Sequence, residues 1–267
     1  MSSRQSRSLI RSHHTLRKQL KDASSKNEVE RSNELQAKIE AAGGLHRYQE
    51  ASIQGQSLER GGDSSKILVE WLTTPIESSL KNKPDNAALK LLEVGALRPD
   101  NACARSKMFN FERIDLRSQH PSIREQDFME RPVPSSARLG NEGFDIISLS
   151  LVLNFVDNAT ARGEMLKRVS SFLRQPQQIY ENHNDFVPCL FLVLPAPCVD
   201  NSRYLDTRTL ENIMNFLGYE EVRSKTSAKL VYHLWKLNRE MKTPECKFKK
   251  EVVRSGKNRN NFSIVLS

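Results

Sequence analysis

A chain of 267 residues is long enough for one sizeable α/β domain with an appendage. The hydrophobic fraction of 37% and the mean hydropathy of −0.58 are low for a compact enzyme, so part of the chain is expected to be solvated. Residues 1–40 carry a net charge of +4 and residues 225–260 one of +8, which leaves −3 for the remainder and favours a polyanionic partner such as RNA, although basic tails can also serve solubility alone.

Cysteine spacing and hydropathy argue against several classes of protein. The four cysteines, Cys103, Cys189, Cys198 and Cys246, form no Cys-x-x-Cys pair. Neither a metal site nor a disulfide framework is therefore predicted, and a reducing compartment is expected. No run approaches the ~18 apolar residues that a membrane span requires. The first 21 residues lack acids and fit either a mitochondrial presequence or a basic nuclear or nucleolar address.

The amino-terminal third predicts two polar regions. Residues 1–42 are rich in helix formers and predict a basic extension of one or two exposed helices, partly disordered, which end at Gly43 and Gly44. Residues 43–88 predict a helical cap or lid. Within them the Tyr48–Gln56 stretch has few aliphatic side chains and many amides and hydroxyls, and it fits a lid or a linker equally well.

A helix is expected after this polar stretch. Ile67, Leu68, Trp71 and Leu72 share one face of a predicted helix over Ser64–Leu72, for which Asp63 is a suitable N-cap. A loop containing Pro75, Pro84 and Asn86 should follow it.

Two strand ends predict a nucleotide-binding site. The strand Leu89–Val94 carries Glu93 and stops at Gly95, and the strand Phe111–Leu116 carries Asp115. A glycine at such a turn lets the backbone approach a ligand, and an acid at the next strand end can hold both ribose hydroxyls. The full Gly-x-Gly-x-x-Gly pattern is absent, so an ordinary turn glycine fits the same residues.

Later segments extend this pattern into an open α/β sheet. Asp127 and Phe128 could present a carboxylate to an adenine amino group with a ring nearby, although an exposed acid is the commoner arrangement. The strand Gly143–Ser150, which includes Ser148, runs directly into Leu151–Asp157. A doubly wound sheet places its functional loop at such a carboxyl end.

The remaining elements complete the predicted domain, residues 89–267. A short helix is expected at 101–107 between the first two strands, and longer helices at Ala161–Leu173 and Thr207–Leu217 flank a buried strand at Cys189–Leu194. The last two strands are expected at Leu230–Leu237 and Phe262–Leu266, divided by a basic insertion over residues 239–261.

This order resembles a class I S-adenosylmethionine-dependent methyltransferase, which has a doubly wound, seven-stranded Rossmann-like sheet with an antiparallel final hairpin. Within that class the chain looks like the fungal 25S rRNA adenine-N1 methyltransferase family over roughly residues 43–240. The residues that carry the resemblance are Tyr48–Gln56, Arg60–Ser65, Leu92–Gly95, Arg113–Leu116, Glu125–Pro132 and Ser148–Val156.

The resemblance implies a nucleolar, nuclear enzyme that methylates N1 of one adenosine in large-subunit rRNA during ribosome biogenesis, with S-adenosyl-L-methionine as cofactor. It carries over Gly95 as the methionine and adenosine contact and Asp115 as the ribose contact. Glu93, Asp127, Phe128 and Ser148 complete the set of candidate cofactor-binding residues. The partner would be rRNA or a pre-ribosome, with neither membrane nor metal.

Adenine N1 carries an in-plane lone pair and no proton in the neutral base, so methylation needs positioning more than a general base. Asn154 is the candidate that grips the target base, with Phe155 or Tyr48 available for stacking. Asn154 could equally cap a helix, with Phe155 in the core.

Basic residues from Lys242 to Arg259 are candidates for phosphate contact, namely Lys247, Lys249, Lys250, Arg254, Lys257 and Arg259. Two other functions stay open. Animal relatives of the family are S-adenosylmethionine sensors, so one alternative is a catalytically silent sensor, and the other is an RNA-binding assembly factor.

Overall fold

A computed structural model describes residues 3–44, 63–80, 88–118, 120–174, 186–238 and 248–267. The chain divides into two compact units, Met1–Asp63 and Ser64–Ser267. The Tyr48–Gln56 stretch lies outside the described residues, so its role as lid or linker stays a prediction.

The first unit contains two helices that pack against each other, α1 (Ser3–Ser25) and α2 (Val29–Ala41). The turn between them places Asn27 in the left-handed region, with φ of 56°. Asparagine tolerates this conformation better than most residues. Two helices thus lie where the sequence predicted one or two, and α2 ends at Ala41, two residues before Gly43.

A seven-stranded sheet forms the second unit. Its strands follow the order β3-β2-β1-β4-β5-β7-β6, and β1 to β5 run parallel, whereas β7 is antiparallel to both β5 and β6. This confirms the open α/β sheet and the antiparallel final hairpin that the resemblance implied. The strands are β1 (Leu89–Val94), β2 (Phe109–Asp115), β3 (Arg124–Glu125), β4 (Ile146–Ser150), β5 (Cys189–Pro195), β6 (Tyr219–Thr226) and β7 (Leu230–Leu237).

Helices cover both faces of the sheet. They are α3 (Ser65–Leu80), α4 (Ala102–Arg105), α5 (Leu139–Glu142), α6 (Ala159–Ser170), α7 (Ala196–Asp200) and α8 (Thr207–Phe216). Leu91 of β1 packs in one core with α3 and α4, while Leu92 and Val94 pack in the other with α6 and α8. Alternate residues of a strand point to opposite faces, so β1 contributes to both cores.

Of the two final strands that the sequence predicted, Leu230–Leu237 is present as β7 and Phe262–Leu266 was wrong. The partner of β7 is β6, and Phe262–Leu266 forms no strand of the sheet. Strand β6 lies at the sheet edge with most of its residues exposed, so it lacks the apolar alternation that identifies a strand. The basic stretch 239–261 therefore follows the last strand and is not inserted between two strands.

The prediction for α3 was too short. The helix continues through Pro75 to Leu80, where the sequence suggested a loop. The short helix α4 does begin after Asn101, whose side chain accepts a hydrogen bond from the Ala104 N–H at 2.9 Å.

Residues 248–267, the C-terminal strap, fold back on themselves. Phe248 pairs with Leu266 at one end, and its ring centroid lies 5.4 Å from that of Phe216, the last residue of α8. Phe262, Ile264 and Leu266 are buried in the core between α6 and α8. The apolar run that suggested a strand therefore covers helices.

Gly163 in α6 marks the closest contact with the strap. A Cβ atom there would lie 1.9 Å from the carbonyl oxygen of Val265, a backbone atom that cannot rotate away. We expect Gly163→Ala to lower Tm by roughly 2–6 °C because overpacking costs about 1–3 kcal/mol. Helix propensity alone predicts that alanine would raise the free energy of unfolding by about 1 kcal/mol. The sign of the change in Tm therefore distinguishes the two effects.

Calorimetry of the full chain measures this effect. Thr160→Ala, at an exposed position of α6, is the matched control and should leave Tm unchanged or slightly higher. A higher Tm for Gly163→Ala would contradict the packing of the strap on α6.

Candidate functional site

The carboxyl ends of β1, β2 and β4 lie side by side. The side of the sheet on which the parallel strands end is called the carboxyl edge. Glu93 of β1 is in register with Arg113 of β2 and with Ser148 of β4. Parallel strands of an open sheet bind ligands beyond this edge, where the order of connections reverses. The order β2-β1-β4 places that reversal between β1 and β4.

Gly95 is the turn residue directly after β1. Its φ is +72°, and a Cβ atom would lie 2.6 Å from Cγ2 of Val152. Its N–H donates to the carbonyl oxygen of Ile114 at 2.8 Å, which ties the turn to the end of β2. Both the backbone conformation and the space at this position therefore require glycine.

Leu151 makes the matching turn after β4. Its φ is +59°, which is rare for a residue with a branched side chain, and its N–H donates to Val193 of β5 at 3.0 Å. A left-handed conformation costs about 1–2 kcal/mol in a non-glycine residue. The turn brings Val152 against Gly95, so two strand ends meet at this point.

Asp115 ends β2 and is half-buried. One carboxylate oxygen accepts a hydrogen bond from the Arg117 N–H at 2.8 Å, and the Asp115 carbonyl oxygen accepts one from Gln126 at 2.9 Å. These bonds fix the carboxylate at the carboxyl edge, as the sequence predicted.

Glu93 joins three elements. Its carboxylate pairs with Nε of Arg113 at 3.3 Å and accepts a hydrogen bond from Nδ2 of Asn101 at 2.7 Å. The guanidinium of Arg113 lies 4.1 Å from the centroid of the Phe111 ring. Its Nη2 is buried and has no hydrogen-bond partner among the described residues. A buried donor of this kind fits an anionic ligand group, because leaving it unsatisfied is costly.

Three other candidates from the sequence lie in different surroundings. The carboxylate of Asp127 accepts a hydrogen bond from the Met129 N–H at 2.7 Å. The Phe128 ring is in the core, 5.3 Å from that of Phe172, so any ligand contact of this residue would come from its backbone. Ser148 is 6% exposed and shares a face of the sheet with Ile146.

Asn154 lies beyond β4 in a single 3₁₀ turn, Leu153–Phe155. Its Oδ1 is buried and has no hydrogen-bond partner among the described residues. The following helix is capped by Asn158, whose side chain accepts a hydrogen bond from the Ala161 N–H at 2.7 Å. Phe155 is 36% exposed. The alternative with Asn154 as the cap and Phe155 in the core was therefore wrong.

Comparisons with known proteins identify the family of this chain. Residues 33–264 match the family model described as 25S rRNA (adenine(2142)-N(1))-methyltransferase, Bmt2. The 25S rRNA adenine-N(1) methyltransferase of Schizosaccharomyces pombe is 38% identical over 96% of this chain and 89% of its own. The chain belongs to this family.

Two further proteins show some likeness to the chain. The 25S rRNA (adenine(2142)-N(1))-methyltransferase of Saccharomyces cerevisiae is 42% identical over 85% of this chain, and the match covers 61% of that protein's length. A solved O-methyltransferase family protein from Burkholderia thailandensis, 9% identical, covers 73% of this chain and 60% of its own, with a TM-score of 0.41.

In this member of the Bmt2 family, sequence reasoning missed three features of the carboxyl edge. These are the buried Nη2 of Arg113, the left-handed turn at Leu151, and a 2.7 Å hydrogen bond between the hydroxyls of Ser64 and Ser150. Arg113 was detectable in principle, since it precedes Asp115 by two residues and so shares its face of β2. Neither the turn nor the hydroxyl pair has a comparable signal in the sequence.

The described part of the chain gives little support for nucleophilic or metal chemistry at this edge. Burial raises the pKa of the Cys198 thiol, near the carboxyl end of β5, to about 12, although the Arg162 guanidinium opposes that rise. The thiol is therefore protonated at neutral pH. Within the described ranges, no three His, Cys, Asp or Glu side chains form a metal site, and no helix could cross a membrane.

The contact between Gly95 and Val152 can be tested by a double-mutant cycle. Gly95→Ala should lower the free energy of unfolding because the new methyl group collides with Cγ2 of Val152. Val152→Ala removes that methyl group, so the double variant should be more stable than the two single losses predict, by about 0.5–3 kcal/mol.

Chemical denaturation of the four proteins measures the coupling. The positive φ at position 95 still costs about 1–2 kcal/mol in the double variant, so full recovery is not expected. Strictly additive losses would show that the two turns do not touch.

Proposed function

We propose that this protein transfers a methyl group from S-adenosyl-L-methionine to N1 of an adenosine in 25S rRNA, in the nucleolus during ribosome biogenesis. Family membership supports the reaction class. The observation that carries the proposal is the buried Oδ1 of Asn154, an acceptor beyond β4 with no partner among the described residues. Adenine offers a complementary donor in its N6 amino group, next to N1.

The residues of the carboxyl edge fit S-adenosylmethionine. Asp115 supplies a carboxylate for the ribose hydroxyls, and the Gly95 turn lets a ligand approach the backbone. Nη2 of Arg113 suits the methionine carboxylate, and Glu93 beside it suits the ammonium. Asp127 stays the candidate for the adenine amino group, while Ser148 lies farther back along β4.

The bound cofactor supplies an electrophilic methyl group on a sulfonium. The chain must hold adenine N1 in line with that group and exclude water, which contributes about 7–11 kcal/mol towards lowering the barrier. No residue has to remove a proton before the transfer, because neutral adenine carries none on N1. The Cys198 thiol, which stays protonated at neutral pH, has no part in this step.

Asn154 is proposed to orient the base. An amide oxygen that accepts from the N6 amino group fixes the edge of the base on which N1 lies. Methylation gives N1 a positive charge, and the N6 hydrogens then become better donors. The hydrogen bond to Oδ1 therefore strengthens as the reaction proceeds, which is the condition for lowering the barrier.

The product of the reaction distinguishes this function from its two alternatives. Incubation of the purified full chain with S-adenosylmethionine and unmodified 25S rRNA should give N1-methyladenosine at a single position, measured by mass spectrometry of nuclease digests. Binding of the cofactor without product would favour a sensor. Binding of rRNA without measurable affinity for the cofactor would favour an assembly factor.

Asn154→Leu should lower the single-turnover rate of methylation by about 10- to 100-fold, the effect of losing a hydrogen bond worth 1.5–3 kcal/mol. Asn154→Asp keeps an oxygen acceptor of the same size and should retain most of the rate. Cofactor affinity, measured by calorimetry, should be similar in all three proteins. A wild-type rate for Asn154→Leu would exclude Asn154 from base positioning.

A further inference from the structure

The C-terminal strap holds a cluster of cations at the carboxyl edge. Helix α7 begins directly after β5, so the loop that follows α7 lies at the edge where the parallel strands end. The strap reaches this loop: the N–H of Val253 donates to the carbonyl of Arg203 at 2.9 Å, and the N–H of Asn260 donates to that of Asn201 at 3.0 Å. The middle of the strap therefore lies at the same edge as the candidate site.

Two arginines of the strap hold it in place. Nη1 of Arg254 donates to the carbonyl oxygens of Val199 at 2.6 Å and of Leu205 at 3.3 Å. Nη1 of Arg259 donates to Oδ1 of Asn201 at 3.1 Å. The sequence suggested that both arginines contact phosphate, but the structure uses their donors to attach the strap.

The attachment uses neutral acceptors. Neither Arg254 nor Arg259 forms a close ion pair with a described carboxylate, although Arg254 lies near enough to Asp206 to interact with it electrostatically. In the body of the sheet the guanidiniums of Arg113 and Arg174 pair with Glu93 and Asp145. The strap carries five basic residues and one acid, Glu251, so a net positive charge collects at this corner.

Arg203 and Tyr204 extend the cluster. Arg203 donates to the carbonyl oxygen of Gly256 at 3.0 Å and to Oδ1 of Asn261 at 2.9 Å. The ring of Tyr204 has Nζ of Lys250 at 4.3 Å and Cζ of Arg203 at 6.0 Å from its centroid. Lys257, next to Gly256, is exposed. An aromatic ring among fixed cations is a typical surface for binding single-stranded nucleic acid.

We propose that Arg203, Tyr204, Lys250 and Lys257, the strap surface, bind phosphates of the RNA substrate on the strand that flanks the target adenosine. The proposal rests on the function proposed above, since it concerns the substrate of the same site. Two carboxylates lie on neighbouring segments, those of Asp200 and Asp206. Asp206 accepts a hydrogen bond from the Thr209 N–H at 2.7 Å as the cap of α8, so its position is fixed.

The test compares two double variants of the full chain. Lys250→Ala/Lys257→Ala removes two charges from the strap surface. Lys107→Ala/Arg138→Ala removes two exposed charges from segments that precede β2 and β4, and Arg138 forms an exposed ion pair with Glu142 at 3.7 Å. Binding to a single-stranded fragment of 25S rRNA is measured between 50 and 300 mM salt. The slope of log K against log salt is negative, and each lost phosphate contact reduces its magnitude by about 0.7. The magnitude should therefore fall by about 1.4 in the strap variant and stay unchanged in the control.

Each outcome decides one point. An unchanged slope for the strap variant, or an equal loss for the control, would overturn the proposal. Lys250→Arg/Lys257→Arg should keep the wild-type slope, and failure of this variant would also count against phosphate binding. Circular dichroism and Tm of the strap variant should match the wild type, because both lysines carry exposed side chains.

Failure of the strap surface and failure of the proposed function give different results. If the strap variant binds RNA with the wild-type slope while methylation proceeds, only the strap surface is wrong. If the slope falls as expected but the wild-type chain yields no N1-methyladenosine, the surface stands and the proposed reaction is wrong.

Discussion

The carboxyl edge depends on the contact between the turns that follow β1 and β4. Gly95 has no side chain, and Val152 occupies the space where one would stand. Leu151 adopts a strained conformation to make this possible, while its N–H remains bonded to β5. Strain of this kind persists only where the surrounding structure holds it, and it concentrates at functional sites. The same turn leads into Leu153–Phe155, which fixes the place of Asn154.

Arginine side chains of the unit Ser64–Ser267 have two kinds of partner. In the body of the sheet, Glu93 and Asp145 each lie beside an arginine, so the charges are compensated where they are buried. In the strap, Arg254 and Arg259 donate to neutral oxygens instead. Removing one partner of a buried pair would leave an unpaired charge, which is costly, whereas charge held by neutral acceptors is available to an external anion.

The sequence predicted those elements that have a clear apolar pattern. The strands β1 and β5 were found as short apolar runs, and the helices α6 and α8 because their apolar residues recur every three to four positions. Strand β6 was missed because its outer position leaves Glu220, Glu221 and Arg223 exposed. Phe262–Leu266 was mistaken for a strand because it is apolar and extended, yet its partners are helices α6 and α8. Local composition cannot distinguish a strand partner from a helix partner.

The candidate site was predictable to a similar degree. Gly95 and Asp115 are positioned by their own strands, so a short stretch of sequence suffices to place them. The role proposed for Arg113 depends on its contact with Glu93, 20 residues earlier in the chain, whereas Asn154 was already a candidate from the sequence. The buried oxygen of Asn154 is informative because a different asparagine, Asn158, caps the following helix.

Adenine-N1 methylation requires one set of groups around the reacting base and another around the RNA backbone. The product base is cationic, and Asn154, the residue proposed to contact it, offers a neutral acceptor. The RNA backbone is anionic and requires cations, which the strap supplies beyond the end of β5. Placing the cations next to the target base would oppose the charge that forms on N1. Because the strap is a separate segment, attached by backbone contacts and by Arg254 and Arg259, it can bind the RNA through side chains other than those proposed to contact the cofactor or the base.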